Sequence, residues 1–429
     1  MFLDREEKAM LSGNMGPGVQ KAMEILTAKG EAEDAARMVK IVYAHLMPPD
    51  TMFFPYGRQG QWARDMISEL TAGVTSLKVP TTMEPKFVDL DIARDMEFPP
   101  EIIQEMRDIM LPAADYYESL GVIPSYTAMP FIIYPTKFGQ HVSIAESIAI
   151  LWYNTIFGSR CERDDGITSL AAAITGVYPE VGGHLEHNRK GEVLIRPGSN
   201  IDTTKFGYAE WDVYGLAASR KCREKIPVFV GLPLDMSFTE LKHLLAIVAV
   251  ESGLPIMHIV GRTPEAPTEE IAFGNKEPFE KFEINKSDLN QAYEMSNTAT
   301  GTGVDYVMLG CPHVTPAEFK IIADMLSSVK VSPKVKLIVS TNTQYLETAT
   351  DMGYVAKIRA AGGIVTHSMC IAFSGTQASG NIATDSLKAA FFYSGFASDT
   401  RRAVRFGSLE DCIKAAITGQ WQGRKLSWM

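Results

Sequence analysis

The sequence predicts an α/β protein of more than one domain, built on largely parallel sheets in three layers, with helices on both faces of each sheet. Three observations carry this. From about residue 225 onward, short apolar runs alternate with stretches of helical spacing, the pattern of strands joined by crossover helices. The helices of that half open on capping residues or close on glycine. A chain of 429 residues also exceeds what one core ordinarily serves, so two or three subdomains are expected.

The elements follow in order. Residues 1 to about 40 read as helical, because Arg5 to Leu11 and Val19 to Leu26 space their apolar residues at three and four. The segment MPPDTMFFPYG at 47–57 is a Pro-rich aromatic loop whose Phe53, Phe54 and Tyr56 either pack on the core or line a site. Ser143 to Phe157 is a largely apolar, helix-like stretch carrying Glu146, Ser147 and Asn154. Polar groups on its buried side must be hydrogen-bonded, to the core or to a ligand. Ile226 to Val230 reads as a strand, and Ser237-Phe238-Thr239-Glu240 as a capping box opening a helix to about Ser252. Tyr306 to Leu309 is strand-like. Thr315-Pro316-Ala317-Glu318 then supplies an N-cap, a first-position Pro and a third-position Glu. Lys336 to Ser340 is another short apolar run, Gln344 to Ala361 reads as one helix ended by Gly362-Gly363, and Ile364 to His367 resumes a strand.

Composition narrows the function classes. A net charge of −10 without any long Lys/Arg run argues against a nucleic-acid surface and for small-molecule or protein partners. Asp4, Arg5, Glu6, Glu7 and Lys8 interrupt any apolar signal core, and the most apolar stretch, Leu244 to Ile259, is broken by Glu251, Gly253, Pro255 and His258. No membrane association and a cytoplasmic location are expected. The 5 cysteines are odd in number and scattered, unlike a disulfide framework.

Sites in parallel sheets gather at the carboxyl ends of strands. That rule singles out Cys311, between a strand and a capped helix, and Cys370, just past the strand beginning at Ile364. The helix start after Cys311 favours thiolate there, and two thiols on strand exits of one sheet could meet in a cleft as nucleophile or metal ligands; an inert buried thiol is the alternative. His184 and His187 could sit on one helical face as ligands, or be structural. The glycine-rich stretches match neither a dinucleotide loop nor a phosphate loop.

Together, LGCPH at 309–313, the later Cys370, TDSLKAA at 384–390, AESIAILWYNTIFGSR at 145–160 and AAITGVYPEVGGHLEHNR at 172–189 resemble the aconitase X family. MFLDREEKAMLSG at the N-terminus and KVPTTMEP at 78–85 fit the same family, so the resemblance runs nearly the whole chain in collinear order. It implies an aconitase-like fold: a helical and α/β region at 1–130, a substrate-site region at 131–225 and a region with the cysteine motifs at 226–429. The activity implied is that of a hydro-lyase eliminating water from a small 3-hydroxy carboxylic acid, cis-3-hydroxy-L-proline or mevalonate 5-phosphate. The chain's length matches a large subunit, which implies a small subunit bearing the swivelling domain and a catalytic Ser, hence a heterodimer.

In the family three cysteines hold an iron–sulfur cluster, and Cys311 and Cys370 match two of them. Ala128, in Thr127-Ala128-Met129-Pro130-Phe131, stands where the third is expected, so either Cys161 is a relocated ligand of an iron–sulfur cluster, or the site holds a mononuclear iron, a weakly bound cluster or no metal. The loop at 45–57 also departs from the family's usual segment. Ser386 and Lys388 match a family pattern near the active site. The Lys of the otherwise apolar KAAFF needs a partner, a substrate carboxylate or solvent. The resemblance further points to His313 and Glu146 as catalytic, and to Ser147, Asn154, Arg160, Thr81, Thr82 and His184, with Arg189, as substrate-binding. Arg160 could clamp a carboxylate in bidentate fashion, and His313 could hydrogen-bond the leaving hydroxyl or a cluster sulfur. Two alternatives stand beside this reading: a metal-free isomerase or dehydratase on the same fold, and a non-catalytic metabolite-binding descendant.

Overall fold

The structure, a computed structural model, describes residues 1–52, 59–396, 402–423 and 426–429. Phe53, Phe54 and Tyr56 lie outside the described residues. The chain divides into two compact units, one of Met1–Lys86, Pro100–Gly191 and Leu254–Glu277, the other of Phe87–Pro99, Glu192–Gly253 and Pro278–Met429.

In the first unit the predicted helices run Arg5–Leu11 and Pro17–Ala32, the former held by a reciprocal Asp4/Glu7 capping box. Their apolar faces, Met10, Met23 and Leu26, join Ile67, Leu170 and Ile174 in one core. A three-stranded parallel sheet runs in the order Thr81–Met83, Ala44–Leu46, Ser143–Ile144. The stretch expected to be helical from Ser143 is shorter than predicted. Glu146 stays extended and caps a helix at Ser147–Trp152, which widens into a π-turn at Tyr153–Phe157 and stops at left-handed Gly158. Local capping by a carboxylate outweighs the apolar spacing there.

In the second unit a five-stranded sheet, parallel throughout, has the order Ile364–His367, Lys336–Thr341, Tyr306–Leu309, Asn381–Thr384, Ala403–Phe406. Val307, Leu309, Leu337 and Val339 share one face with Phe319, Ile322 and Ile358, while Tyr306 and Met308 point to the other, and all four residues of the central strand are buried. Burial on both faces is why these strands read as unbroken apolar runs. A second parallel sheet carries Pro227–Phe229, Val193–Pro197 and Glu280–Ile284. The short Phe87–Pro99 excursion is bound here by Glu97, which accepts from Tyr306 (2.6 Å) and Lys336 (2.8 Å).

The helices expected after Ser237 and Thr315 run Phe238–Ser252 and Pro316–Met325, each with its capping box formed. The single helix expected over 344–361 is instead two, Thr343–Asp351 and Tyr354–Ala360. Gly353 between them is left-handed (φ +75°), a conformation that ends one helix and re-aims the next. Among the described residues no helix is long and apolar enough to cross a membrane.

Candidate active site

The strand order of the five-stranded sheet reverses between Tyr306–Leu309 and Asn381–Thr384. At such a switch point the chains leaving the two strands turn to opposite faces and open a crevice at their carboxyl ends. Gly310 begins one wall. Its φ is +115°, and a Cβ there would lie 2.2 Å from the Ser340 carbonyl oxygen, so the chain can pass the neighbouring strand this closely only as glycine. Cys311 follows, joined to Pro312 by a cis peptide. The loop is pinned by Val314 N–H donating to Ser340 (3.0 Å) and by Thr341 Oγ1 donating to the Val314 carbonyl (2.8 Å).

Ser386 begins the other wall as the N-cap of the helix Leu387–Phe391. Its Oγ accepts from Ala389 N–H (3.2 Å) and donates across the crevice to the Cys311 carbonyl. Lys388 lies in the first turn, buried. The third wall leaves the strand Ile364–His367 through Ser368, at φ +62°, to Met369 and Cys370. The Met369 carbonyl accepts from Ser340 Oγ (3.0 Å) and from His313 Nε2 (3.3 Å). Because that acceptor is a carbonyl, Nε2 carries the proton in the neutral ring. Burial, with Lys242, Lys388 and His367 nearby, pushes the imidazole down to about 3, so His313 is neutral at physiological pH. Cys311 and Cys370 both act on the Tyr393 hydroxyl, which burial and then the two sulfurs raise. Cys311, His313, Cys370, Ser386 and Lys388 are thus brought together on three strand exits of one sheet.

Below these loops lies a buried ionic cluster absent from the sequence reading. Lys242 Nζ is 2.7 Å from both oxygens of Glu318, and Glu318 also accepts from Thr315 N–H and Oγ1, each at 2.7 Å. His243 donates from Nδ1 to Asp212 (2.8 Å) and from Nε2 to Glu318 (3.1 Å). Burial opposes the charge on His243, but the two carboxylates prevail and lift it to about 9. Burial likewise opposes the charge on Glu318, and Lys242 and His243 hold it near 2. Burial raises Asp385, next to Ser386, to about 7. The ligand atoms of His243, Glu318 and Asp385 lie within 4.8 Å of one another, a spacing that could hold a metal ion. In this structure the Lys242 ammonium already takes the cation's place against Glu318. The signal in the sequence was Lys242-His243 inside the apolar helix FTELKHLLAIVAV.

The other expected site residues belong to the first unit. Glu146 and Ser147 stand at the carboxyl end of Ser143–Ile144. Glu146 accepts from Ala149 N–H (2.8 Å) and from Ser147 Oγ (3.1 Å), which makes it a helix cap. Asn154 turns to the core, donating to the carbonyls of Cys161 (3.0 Å) and Pro255 (2.8 Å) and accepting from Cys161 N–H (3.1 Å) and Arg189 Nη1 (2.7 Å). Cys161 is fully buried, its sulfur 3.2 Å from Asn154 Nδ2, and burial pushes its thiol well up, the state of a protonated packing residue. Ala128 offers no ligand atom. Arg160 is engaged with Glu186 (3.0 Å) and the His184 carbonyl (3.3 Å).

Thr81 Oγ1 donates to Val79 (2.9 Å), whereas Thr82 Oγ1 joins Tyr43 and His45 (2.7 Å), and His45 reaches Glu84 (2.9 Å). The expected helical face of His184 and His187 is two separate 3₁₀ turns, Gly182–His184 and Glu186–Arg189. His184 is buried with its Nδ1 2.9 Å from that of His141, and His187 is exposed. Leu185 between them is extended (φ −90°, ψ 128°), which prevents a continuous helix.

Comparison with known proteins agrees with this architecture. Family models described as the aconitase X first, second and third domains match residues 1–187, 191–294 and 304–418. The phosphomevalonate dehydratase large subunit of Methanothermobacter thermautotrophicus is 31% identical over 401 residues, covering 92% of this chain and 94% of that one. The cis-3-hydroxy-L-proline dehydratase of Pseudomonas aeruginosa is 27% identical over 433 residues, covering 100% of this chain and 72% of that one. The crystal structure of aconitase X from Thermococcus kodakaraensis, in its holo form, superposes with a TM-score of 0.82 at 27% identity, over 97% of this chain and 100% of that one. With three domains matched in collinear order and a 31% identical relative covered nearly end to end, this chain belongs to the aconitase X family.

Proposed function

We propose that this chain is the large catalytic subunit of a hydro-lyase that removes water from a small 3-hydroxy carboxylic acid of the mevalonate 5-phosphate or cis-3-hydroxyproline kind. The observation that carries it is the switch-point crevice, where Cys311, His313, Cys370, Ser386 and Lys388 meet on three strand exits of a chain whose relatives are named as dehydratases of those acids. The reaction breaks a C–H bond and the neighbouring C–O bond. The C–H electron pair becomes the double bond, and proton and hydroxide leave together as water. The words large subunit in the relatives' names imply a small-subunit partner, to which the family resemblance assigns the swivelling domain and a catalytic Ser. Five free cysteines suit a reducing cytoplasm.

Two soft sulfur donors on adjoining loops suit iron or an iron–sulfur cluster, and Cys311 and Cys370 would hold it. Such a metal supplies Lewis acidity for a poor leaving group, hydroxide. The protein's own groups do the rest. Lys388, a cation within the buried wall, binds the substrate carboxylate. Neutral His313, its Nε2–H aimed into the loop of Cys370, holds that loop in place and stays uncharged beside Lys388. Ser386 fixes the separation of the two walls through Cys311. Glu146, with its carboxylate engaged at a helix start, positions Ser147 rather than moving a proton. Ala128, standing where a third cysteine is expected, is the observation that favours the metal-free alternative.

The test is anaerobic co-purification with a candidate small subunit, assayed for iron, acid-labile sulfide and turnover of both hydroxy acids. Iron with turnover supports the proposal. Turnover without metal supports the metal-free dehydratase, and ligand binding without turnover under all conditions sinks both.

A further inference from the structure

The buried ionic cluster draws members from four separated segments of the second unit: Asp212 from the helix Tyr208–Cys222, Lys242 and His243 from Phe238–Ser252, Glu318 from Pro316–Met325, and Asp385 from the turn before Leu387–Phe391. None of the five is more than 6% exposed. A closed ion cluster of this kind is expensive to desolvate, and apolar side chains of similar volume would often serve stability as well. Its placement is what distinguishes it.

Glu318 caps the helix that follows the Cys311 loop, and Asp385 immediately precedes Ser386. Lys242 Nζ, besides its two contacts to Glu318, faces the carbonyls of His313 (3.3 Å) and Pro312 (3.5 Å). Asp212 Oδ2, besides its bond to His243, faces the Leu387 N–H (3.5 Å). These three last-named contacts are long, but between a full charge and backbone dipoles in a dry interior they are weakly screened. One limb of the cluster therefore touches the residues on either side of the Pro312–His313 peptide, and the other touches the residue after Ser386.

We infer that Lys242 is a positioning residue: its buried ammonium, held by Glu318, orients the Pro312 and His313 carbonyls and so fixes where the Cys311 sulfur and the His313 ring face the crevice. The inference rests on the proposed site for its functional meaning, but not for its test. That test is site-resolved alkylation of the full-length chain with iodoacetamide, in wild type and K242M, followed by mass spectrometry. Cys222 and Cys412 are buried in the same unit, outside the Cys311 loop, and report general loosening.

The expected result is a change of at least about threefold in the labelling rate of Cys311, with Cys222 and Cys412 unchanged and with K242R restoring most of the wild-type rate. An unchanged Cys311 overturns the inference. So does parallel acceleration of all these cysteines, which would make Lys242 merely structural. Where K242M fails to fold, E318Q, which releases the ammonium while keeping volume, carries the same expectations, and failure of both to fold counts against positioning. In the assembled enzyme the corresponding expectation is a fall in kcat of about tenfold with KM within about threefold. A wild-type complex without turnover, together with a selective change of Cys311 labelling in K242M, would remove the proposed function and leave this inference standing.

Discussion

Arg189 offers the sharpest energetic test in the first unit. Its guanidinium is fully buried: Nε and Nη2 fork onto Glu265 (2.7 to 3.0 Å), Nη1 donates to Asn154 Oδ1 and the Gly183 carbonyl (both 2.7 Å), and Nη2 also reaches the Ser159 carbonyl (2.9 Å). The Glu265 side chain is only 9% exposed. R189M leaves that carboxylate without its counter-charge and takes a donor from three further acceptors, for a loss of about 3–5 kcal/mol. R189K keeps a charge but not the fork, and falls between. Because the penalty is mainly the orphaned carboxylate, R189M/E265Q should regain roughly 1–3 kcal/mol over R189M alone. Thermal and urea unfolding of the four proteins at pH 7 measure this, with a drop of roughly 6 °C or more expected for R189M. An unfolding free energy for R189M within about 1 kcal/mol of wild type, or a double variant no better than the single, would refute the reasoning. Had Arg189 been a substrate ligand, R189K would instead weaken binding at unchanged melting temperature.

Further outcomes follow from the same structure. His243 has a folded value of about 9 against 6.5, so its stabilisation is complete below pH 6.5 and is lost as pH rises through about 9. The loss amounts to up to about 3 kcal/mol, read as a falling urea midpoint over that window; a flat profile would contradict the paired imidazolium. G310A forces a side chain into φ +115° and onto the Ser340 carbonyl, and should cost at least about 3 kcal/mol or fail to fold; a stable, wild-type-like variant would show that the strands separate easily. C311S and C370S should each abolish metal retention in the assembled complex while C161S keeps it, as measured by iron content; loss in C161S would restore it as a ligand.

What the sequence disclosed was local. Ser237, Thr315 and Glu318 announced their helices because caps are encoded within four residues, and the strand exits at Cys311 and Cys370 followed from those boundaries. The break at Gly353 was missed because a glycine amid helical spacing reads as tolerated. Burial of Asn154 and Arg189 required partners, but their identity, each other and Glu265, depends on chain segments far apart in number. The partners of Lys242 and His243 were hidden for the same reason. Glu318 had a sufficient local explanation as a cap, so nothing in its surroundings called for a buried lysine 76 positions earlier.

The interleaving of the two units bears on how the chain is made. The backbone passes from one to the other after Lys86, Pro99, Gly191, Gly253 and Glu277. On the ribosome, the first unit cannot close until Glu277 has emerged, and by then the helices bearing Asp212 and Lys242 are waiting for a sheet not yet synthesised. Lys242 has no Glu318 to pair with until that later segment arrives. Truncations ending before the last strand should therefore leave more than the crevice unbuilt, and limited proteolysis should not release either unit as one continuous fragment.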